Sequence, residues 1–410
     1  MKLVIMKFGG SSVADAQKIQ HVAGRVAARR QGGFRVVAVV SAPGGMTDDL
    51  LTLARGVAET PDERELDVLL ATGEQASIAL LCMALKGAGQ EAISLTGPQA
   101  GIFADTDHTR ARITHIKPKK IHAELAKGKV VVVAGFQGLN PNEDIVTLGR
   151  GGSDLTAIAL AAALKADLCE IYTDVEGVFT TDPRVVADAR KLNEISYDEM
   201  LELAGSGAQV MQGRSVEVAK KYNVVFEVRS TFSGAPGTRV HQEVSYMEDV
   251  VVSGIAFDRH QAKVSMIEVP DRPGIAAEIF GALAQVGVNV DMIIQSTAQG
   301  GTNDISFTVP QGDLKKALAA LEPVKSELKA KDVVHEAGVG KVAVVGVGMR
   351  SHPGVAARMF KALADRGINI QMISTSEIKI SCIVAKDQVD AAVKGLHEAF
   401  ELGKKTRVKA

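Results

Sequence analysis

The segment GRGGSD (149–154) sets one guanidinium, three glycines, a hydroxyl and a carboxylate ahead of an apolar helical pattern. Gly151 and Gly152 would let backbone N–H groups approach an anion, and a helix after Ser153 would aim its positive end at it. The same residues also suit an ordinary helix start, with Ser153 as N-cap and Asp154 as a first-turn acid. Arg150 tips the balance, because guanidinium grips carboxylate or phosphate bidentately. A second pair, Gly9-Gly10, follows Lys7 and Phe8 at the end of the apolar run LVIMKF. An ammonium there either snorkels to solvent or faces a bound anion. In SAPGGMTDDL (41–50) Thr47 reads as an N-cap, followed by two acids that favour the helix dipole. In ATGEQ, spacing alone makes Thr72 and Gln75 a capping box and Glu74 a first-turn acid. In YTDVEGVFTTDPR (172–184), Asp174, Asp182 and Arg184 leave a strand. All five clusters are expected at the C-terminal ends of parallel strands, where α/β proteins bind ligands.

The elements that carry them alternate. Runs 3–8, 35–42, 130–136, 167–174 and 224–230 read as buried strands, and 13–30, 48–59, 73–87 and 154–165 as helices. Near-continuous Val/Ile strands alternating with helices predict an α/β fold, a largely parallel sheet sandwiched by helices. STFSGAPGTRV (230–240) has the composition of a linker. Beyond it the chain repeats: DRPGIAAEIFGALAQVGVNVDMII (271–294) aligns without gaps with SHPGVAARMFKALADRGINIQMIS (351–374). Each repeat reads strand, Pro-Gly turn, amphipathic helix, Gly-Asn turn, strand, strand, an α+β unit of ferredoxin-like type. The expected spans are 1–240, 247–337 and 338–410, with a strand at 250–258 able to pair with the last.

Composition narrows the partners. With 47 basic and 48 acidic residues among 410, the net charge of −1 supplies no attraction to nucleic acid or an anionic membrane. Cys82, Cys169 and Cys382 lie far apart in apolar runs, a spacing that fits neither a zinc site nor a disulfide framework. The N-terminal apolar run is too short for a signal peptide, and no apolar stretch is expected to reach the roughly 18 residues of a membrane helix. A soluble, cytoplasmic protein is the expectation, with no metal held by the protein itself.

The motifs MKFGGSSVAD, SAPGGMTDDL, TGEQ, TLGRGGSDLTA and YTDVEGVFTTDPR, followed by the paired DRPG and SHPG units, closely resemble aspartate kinase over nearly the whole chain. The resemblance implies an amino-acid kinase fold with two C-terminal ACT modules. It also implies transfer of the ATP γ-phosphoryl group, with Mg²⁺, to the β-carboxylate of L-aspartate. By resemblance, Lys7 neutralises the transferring phosphoryl, with Phe8, Gly9, Gly10 and Ser41 beside the nucleotide. Asp154 orients Lys7 or the phosphate-binding amides. Arg150, with Gly151, Gly152 and Ser153, clamps a substrate carboxylate, Glu74 takes the α-ammonium, and Thr47 and Asp49 line the pocket. Thr173, Asp174, Phe179, Asp182 and Arg184 hold nucleotide. Gln209 stands where the family has a Lys, a loss of charge that Arg214, Lys220 or Lys221 could offset.

The resemblance further implies feedback by lysine, threonine or both. The expected effector residues are Asp271, Gly274, Ile275, Ala276, Asn289, Asp291 and Gln295 in the first repeat. Val355, Asn369, Ser374, Thr375 and Ser376 are their counterparts in the second. It implies a homo-oligomer through 247–410, and Met247 offers an internal start for that region as a separate subunit.

Overall fold

Strands that must be covered on both faces are apolar throughout, and the valine-rich runs form the middle of such a sheet. The computed structural model describes residues 1–208, 210–242, 251–296, 300–350 and 352–404. They fall into two compact units. The first comprises Met1–Val178, Lys191–Ala204 and Gln209–Ser245; the second comprises Phe179–Arg190, Gly205–Ala208 and Tyr246–Ala410. The contiguous span 1–240 expected from sequence is therefore interrupted, because 179–190 and 205–208 pack with the C-terminal repeats.

In the first unit the chain runs β1 (Leu3–Phe8), α1 (Ala16–Gln31), β2 (Arg35–Val40), α2 (Met46–Val57), α3 (Glu63–Gly87) and β3 (Ala92–Leu95). Then come β4 (Ile102–Ala104), β5 (Ile113–Ile116), α4 (Lys119–Ala126), β6 (Val130–Ala134), β7 (Gln137–Leu139) and β8 (Ile145–Thr147). It continues through α5 (Gly152–Leu164), β9 (Leu168–Thr173), β10 (Glu194–Ser196), α6 (Tyr197–Gly205), α7 (Gly213–Tyr222), β11 (Phe226–Ser230) and β12 (Thr238–His241). The main sheet has the order β10-β12-β11-β9-β1-β2-β6-β3, parallel except where β11 meets β12. The stretch read as a linker thus contains β12; its Gly and Pro residues shape the turn that lets β12 fold back beside β11.

Alternation along β1 decides which face each residue serves. Val4, Met6 and Phe8 join α1 and α3 in one core, with Val22, Val26, Leu81 and Leu85. Lys7 therefore projects to the opposite face, where α5 packs. Helix α1 starts on Asp15, whose carboxylate accepts the Lys18 amide at 2.9 Å. Helix α5 is buried nearly all round, as its Ala/Leu/Ile sequence requires. A smaller sheet, β5-β4-β7-β8, stands beside the main one.

Helix α3 corrects two expectations. It starts at Glu63 on an Asp62 N-cap, ten residues before the predicted helix, so Thr72 and Gln75 are mid-helix and form no capping box. Its 25 residues are also long and apolar enough to cross a membrane, contrary to the sequence reading. Half of its most apolar window is buried, and it carries the buried acids Asp67 and Glu74; it is a core helix of this unit.

In the second unit follow β13 (Gly254–Pro270), α8 (Ile275–Gln285), β14 (Ile293–Gln295), β15 (Thr302–Pro310), α9 (Leu314–Leu328) and β16 (Asp332–Val345). The chain ends with α10 (Val355–Ala364), β17 (Met372–Thr375), β18 (Lys379–Ala385) and α11 (Val389–Ala399). One six-stranded sheet, β14-β15-β13-β16-β18-β17, serves both repeats. Strand β13 joins them: 254–258 pairs with 341–345 of the second repeat, whereas 261–270 pairs with β15 of the first. Met292 and Met372, at matching repeat positions, meet in one cluster with Val339 and Ile383. The segment 179–190 is fastened here by Val186 in the core and by a 3.0 Å hydrogen bond between Thr180 Oγ1 and His397 Nε2. Burial lowers the His397 pKa, partly opposed by Asp188.

Candidate active site

Lys7 is the penultimate residue of β1, between two parallel neighbours, opposite Val39 and Ile171, and its side chain is nearly buried. Its ammonium lies 2.6 Å from Asp154 Oδ1, in the first turn of α5. The charge thus has a fixed partner and does not snorkel.

Lys7 opens into a cavity of about 500 Å³ in the first unit. Gly10, Ser41, Thr47, Glu74, Arg150, Gly151, Gly152 and Ser153, all expected at a site, line it with Lys7. Two helix N-termini face it. Helix α2 begins on Gly45 and α5 on Gly151, both left-handed at φ 86° and 69°. These glycines are the N-caps, so Thr47 and Ser153 sit inside the first turns and do not cap them. A Cβ at Gly151 would also lie 2.5 Å from the Gln212 Cβ, so the loop needs glycine for space as well as for φ. Two helix dipoles, Lys7 and Arg150 together make a cavity suited to anions.

Glu74 is the counterweight. It is 3% exposed, its Oε1 accepts the Ala42 amide at 2.9 Å, and its Oε2 is buried without a hydrogen-bond partner. Desolvation raises its pKa to about 7, against the lowering effect of the Ala42 amide. A buried carboxylate oxygen left open at a cavity wall is an acceptor for a cation. TGEQ therefore reaches the site from the middle of α3 and not from a strand end.

Other expected residues lie elsewhere. Asp49 is exposed and outside the cavity wall, which Asp48 joins instead. The Phe8 side chain is fully buried and stacked on Tyr172 at 4.8 Å, so only its backbone can serve a ligand. Gly9 donates its amide to the Tyr172 carbonyl at 3.3 Å. Thr173 and Asp174 end β9, joined at 3.0 Å. Phe179, Asp182 and Arg184 belong to the second unit, where the Arg184 hydrogen bonds hold Asp182 below the usual carboxylate range. Gln209 lies outside the described residues. Its proposed substitutes are engaged: Arg214 donates to the carbonyls of Leu148 (2.9 Å) and Ala111 (3.0 Å), Lys220 pairs with Asp198 at 2.5 Å, and Lys221 lies over the Tyr222 ring.

The sequence reading missed Thr109, Phe136 and Thr147 in the wall. Thr109 and Phe136 have φ of 64° and 68°, costly for such side chains. No motif marks them. Among the described residues no group of three or more His, Cys, Asp or Glu gathers to hold a metal.

In the second unit Asp271 is exposed and accepts from Asn303 Nδ2 at 3.1 Å. Asp291 is already paired with the buried ammonium of Lys341. Gly274 caps α8 at φ 101°, while the side chains of Ile275 and Val355 are core residues. Ala276, Asn289, Gln295, Asn369, Thr375 and Ser376 are exposed, and Ser374 is half-buried on β17.

The sheet order and the glycine-built anion cavity define the class, which the family models specify. Residues 2–230 match the amino acid kinase family, and 264–326 and 342–400 each match an ACT domain. The chain is 51% identical over 404 residues to an aspartokinase of Pseudomonas aeruginosa, covering 98% of both. It is 49% identical over 408 residues to one of Mycolicibacterium smegmatis, covering 98% of this chain and 97% of the relative. Among solved structures, Escherichia coli aspartokinase III in complex with aspartate and ADP (R-state) aligns at a TM-score of 0.84 and 25% identity, over 97% of this chain and 99% of that one. The same enzyme with lysine and aspartate (T-state) aligns at 0.74 and 26%, over 98% and 100%. The chain belongs to the aspartokinase family of kinases.

Proposed function

We propose that this protein transfers the γ-phosphoryl group of ATP to the β-carboxylate of L-aspartate, forming 4-phospho-L-aspartate and ADP. The observation that carries the reading is the open, buried Glu74 Oε2 in a cavity otherwise built for anions. A zwitterion with one ammonium and two carboxylates matches that pattern. A carboxylate oxygen attacks phosphorus as the bond to the ADP oxygen breaks, so no general base is needed. Positioning and charge stabilisation supply the catalysis. Lys7, held by Asp154, faces the transferring phosphoryl; Arg150 takes a substrate carboxylate, and Glu74 takes the α-ammonium. Gly9, Gly10, Ser41, Thr173 and Asp174 serve the nucleotide, with Mg²⁺ arriving on its phosphates, as that ion prefers.

The product places the enzyme at the first step toward lysine, threonine and methionine, in the cytoplasm. The ACT repeats bind lysine, threonine or both, and they support assembly into a homo-oligomer. Exposed Ile293 and Ile373 at matching positions of the terminal strands β14 and β17 favour such assembly. An internal start at Met247, outside the described residues, would add a separate 247–410 subunit; a second band on denaturing gels of native-host protein tests it.

The decisive assay supplies ATP, Mg²⁺ and hydroxylamine with aspartate, glutamate or acetylglutamate. Aspartyl hydroxamate alone is expected. Hydroxamate from another acid, or from none, overturns the assignment.

A further inference from the structure

Asp67 is fully buried on α3, two helical turns before Glu74, and touches no part of the cavity itself. Its carboxylate nonetheless gathers three residues from two other segments. It accepts the Thr109 amide on both oxygens (3.1 and 3.0 Å), the Thr147 hydroxyl on Oδ1 at 2.5 Å, and it meets His108 Nδ1 at 2.8 Å on Oδ2. Thr109 and Thr147 both line the cavity. Thr109 holds a left-handed φ of 64°, which a β-branched residue adopts only when its surroundings enforce it. Asp67 is what its amide gains there. The Thr147 carbonyl accepts the Ala111 amide at 2.9 Å, closing the 105–111 loop onto β8. Two residues past Thr147 the chain enters Gly149-Arg150, and the Thr109 carbonyl lies against Gly149.

We infer that Asp67 is a positioning residue for the amino-acid substrate: it fixes, from the same helix that carries Glu74, the loop that presents Arg150. The ammonium acceptor and the carboxylate clamp are then set at one separation by one rigid element. This rests on the aspartate kinase reading and deepens it. A carboxylate suits the task because its two oxygens can accept several hydrogen bonds at once. Asparagine keeps one oxygen but turns an NH₂ toward the Thr109 amide, donor against donor.

The test is steady-state kinetics of the full chain with both substrates varied. Asp67→Asn is expected to raise KM for aspartate about 10–100-fold, the scale of a misplacement near 1 Å, and to leave KM for ATP near the wild-type value. Thr147→Val, which removes one hydroxyl, raises KM for aspartate in the same selective way, and Thr147→Ser, which restores it, recovers most of the loss. A merely structural role would lower melting temperature without splitting the two KM values. Unchanged aspartate KM in Asp67→Asn, or equal losses for both substrates in Thr147→Val, overturns the inference. If Asp67→Asn does not fold, the Thr147 pair decides. A wild type inactive on aspartate overturns the functional reading itself, whereas an active wild type with unselective variants overturns only the role of Asp67.

Discussion

Lys7 and Glu74 are buried charges with opposite histories, and each makes a prediction of its own. Lys7 has its partner, Asp154, in the protein before substrate arrives. Lys7→Ala is expected to lower kcat by about 10²–10³-fold, the worth of a donor that acts mainly in the transition state. Aspartate KM should change little. Hydroxamate formation within tenfold of wild type would exclude the role. Glu74 keeps one oxygen, Oε2, without a hydrogen-bond partner until substrate supplies one. Its folded pKa of about 7 stands above the ordinary glutamate value of 4.5, so the folded state holds a proton that the unfolded chain releases between those values. The stability this confers is complete below pH 4.5 and is lost as pH rises through 7. At pH 8 an ionised Glu74, with only the Ala42 amide to stabilise it, costs on the order of 3 kcal/mol. Glu74→Gln should therefore resist urea better than wild type at pH 8, with the gap closing toward pH 5, while losing aspartate affinity. In the wild type, aspartate KM should fall as pH rises through 7. A Gln variant no more stable than wild type at pH 8 would refute the assignment of that pKa.

At the scale of elements, the site depends on how closely helices approach strand ends. Gly135, just past β6, has no place in any sequence motif. A Cβ there would lie 2.6 Å from Ser153 Oγ and 2.9 Å from its Cα, in the first turn of α5. Gly135→Ala must displace that turn, and with it the Gly151–Asp154 loop, relative to Lys7. A loss of about 10²-fold in kcat/KM is expected, more than for any nearby surface change, since displacements near 1 Å have that effect. Hydroxamate kinetics near wild type would show that α5 can shift without consequence. The contrast with Gly151 shows what was legible. Glycine pairs beside Lys7 and Arg150 announce themselves because bare backbone and charge recur at strand ends, and Val/Ile periodicity locates the strands between them. Gly135, Asp67, Thr109 and Thr147 act through tertiary approach, which no local pattern encodes. Glu74 was misplaced for a related reason. ATGEQ has the local chemistry of a helix start, but the apolar period running back to Leu66 continues through it, and packing against Ala42 decided the matter. Strand β12 is hidden because its four residues, TRVH, follow a Gly/Pro-rich turn and hold a single apolar side chain, too few to register.

At the scale of the molecule, the issue is which carboxylate of the first ACT repeat can answer an effector. Asp271 and Asp291 are both among the expected effector residues, and either could pair with an amino acid's ammonium. They now differ in kind. Asp291 neutralises Lys341, whose side chain is 3% exposed and also donates to the Gly205 carbonyl at 3.0 Å. Removing Asp291 leaves a buried ammonium short of its counter-charge, at a cost of about 2–4 kcal/mol. Asp271 is exposed beside the left-handed Gly274 turn, its side chain held among the described residues by a neutral amide, and stays able to take a cation. An effector bound there lies outside the kinase fold. It changes the rate only by favouring one domain arrangement over another, with a coupling on the order of 1–3 kcal/mol, or roughly 5–150-fold in affinity. The rate of the wild type is therefore expected to fall with lysine, threonine or their combination. Asp271→Ala should blunt that response while keeping the wild-type urea midpoint. Asp291→Ala should lower the midpoint whether or not an effector is present. Rates measured with each amino acid alone and together, on all three proteins, separate the two acids. A fully sensitive Asp271→Ala, or an insensitive Asp291→Ala of undiminished stability, would reverse their roles.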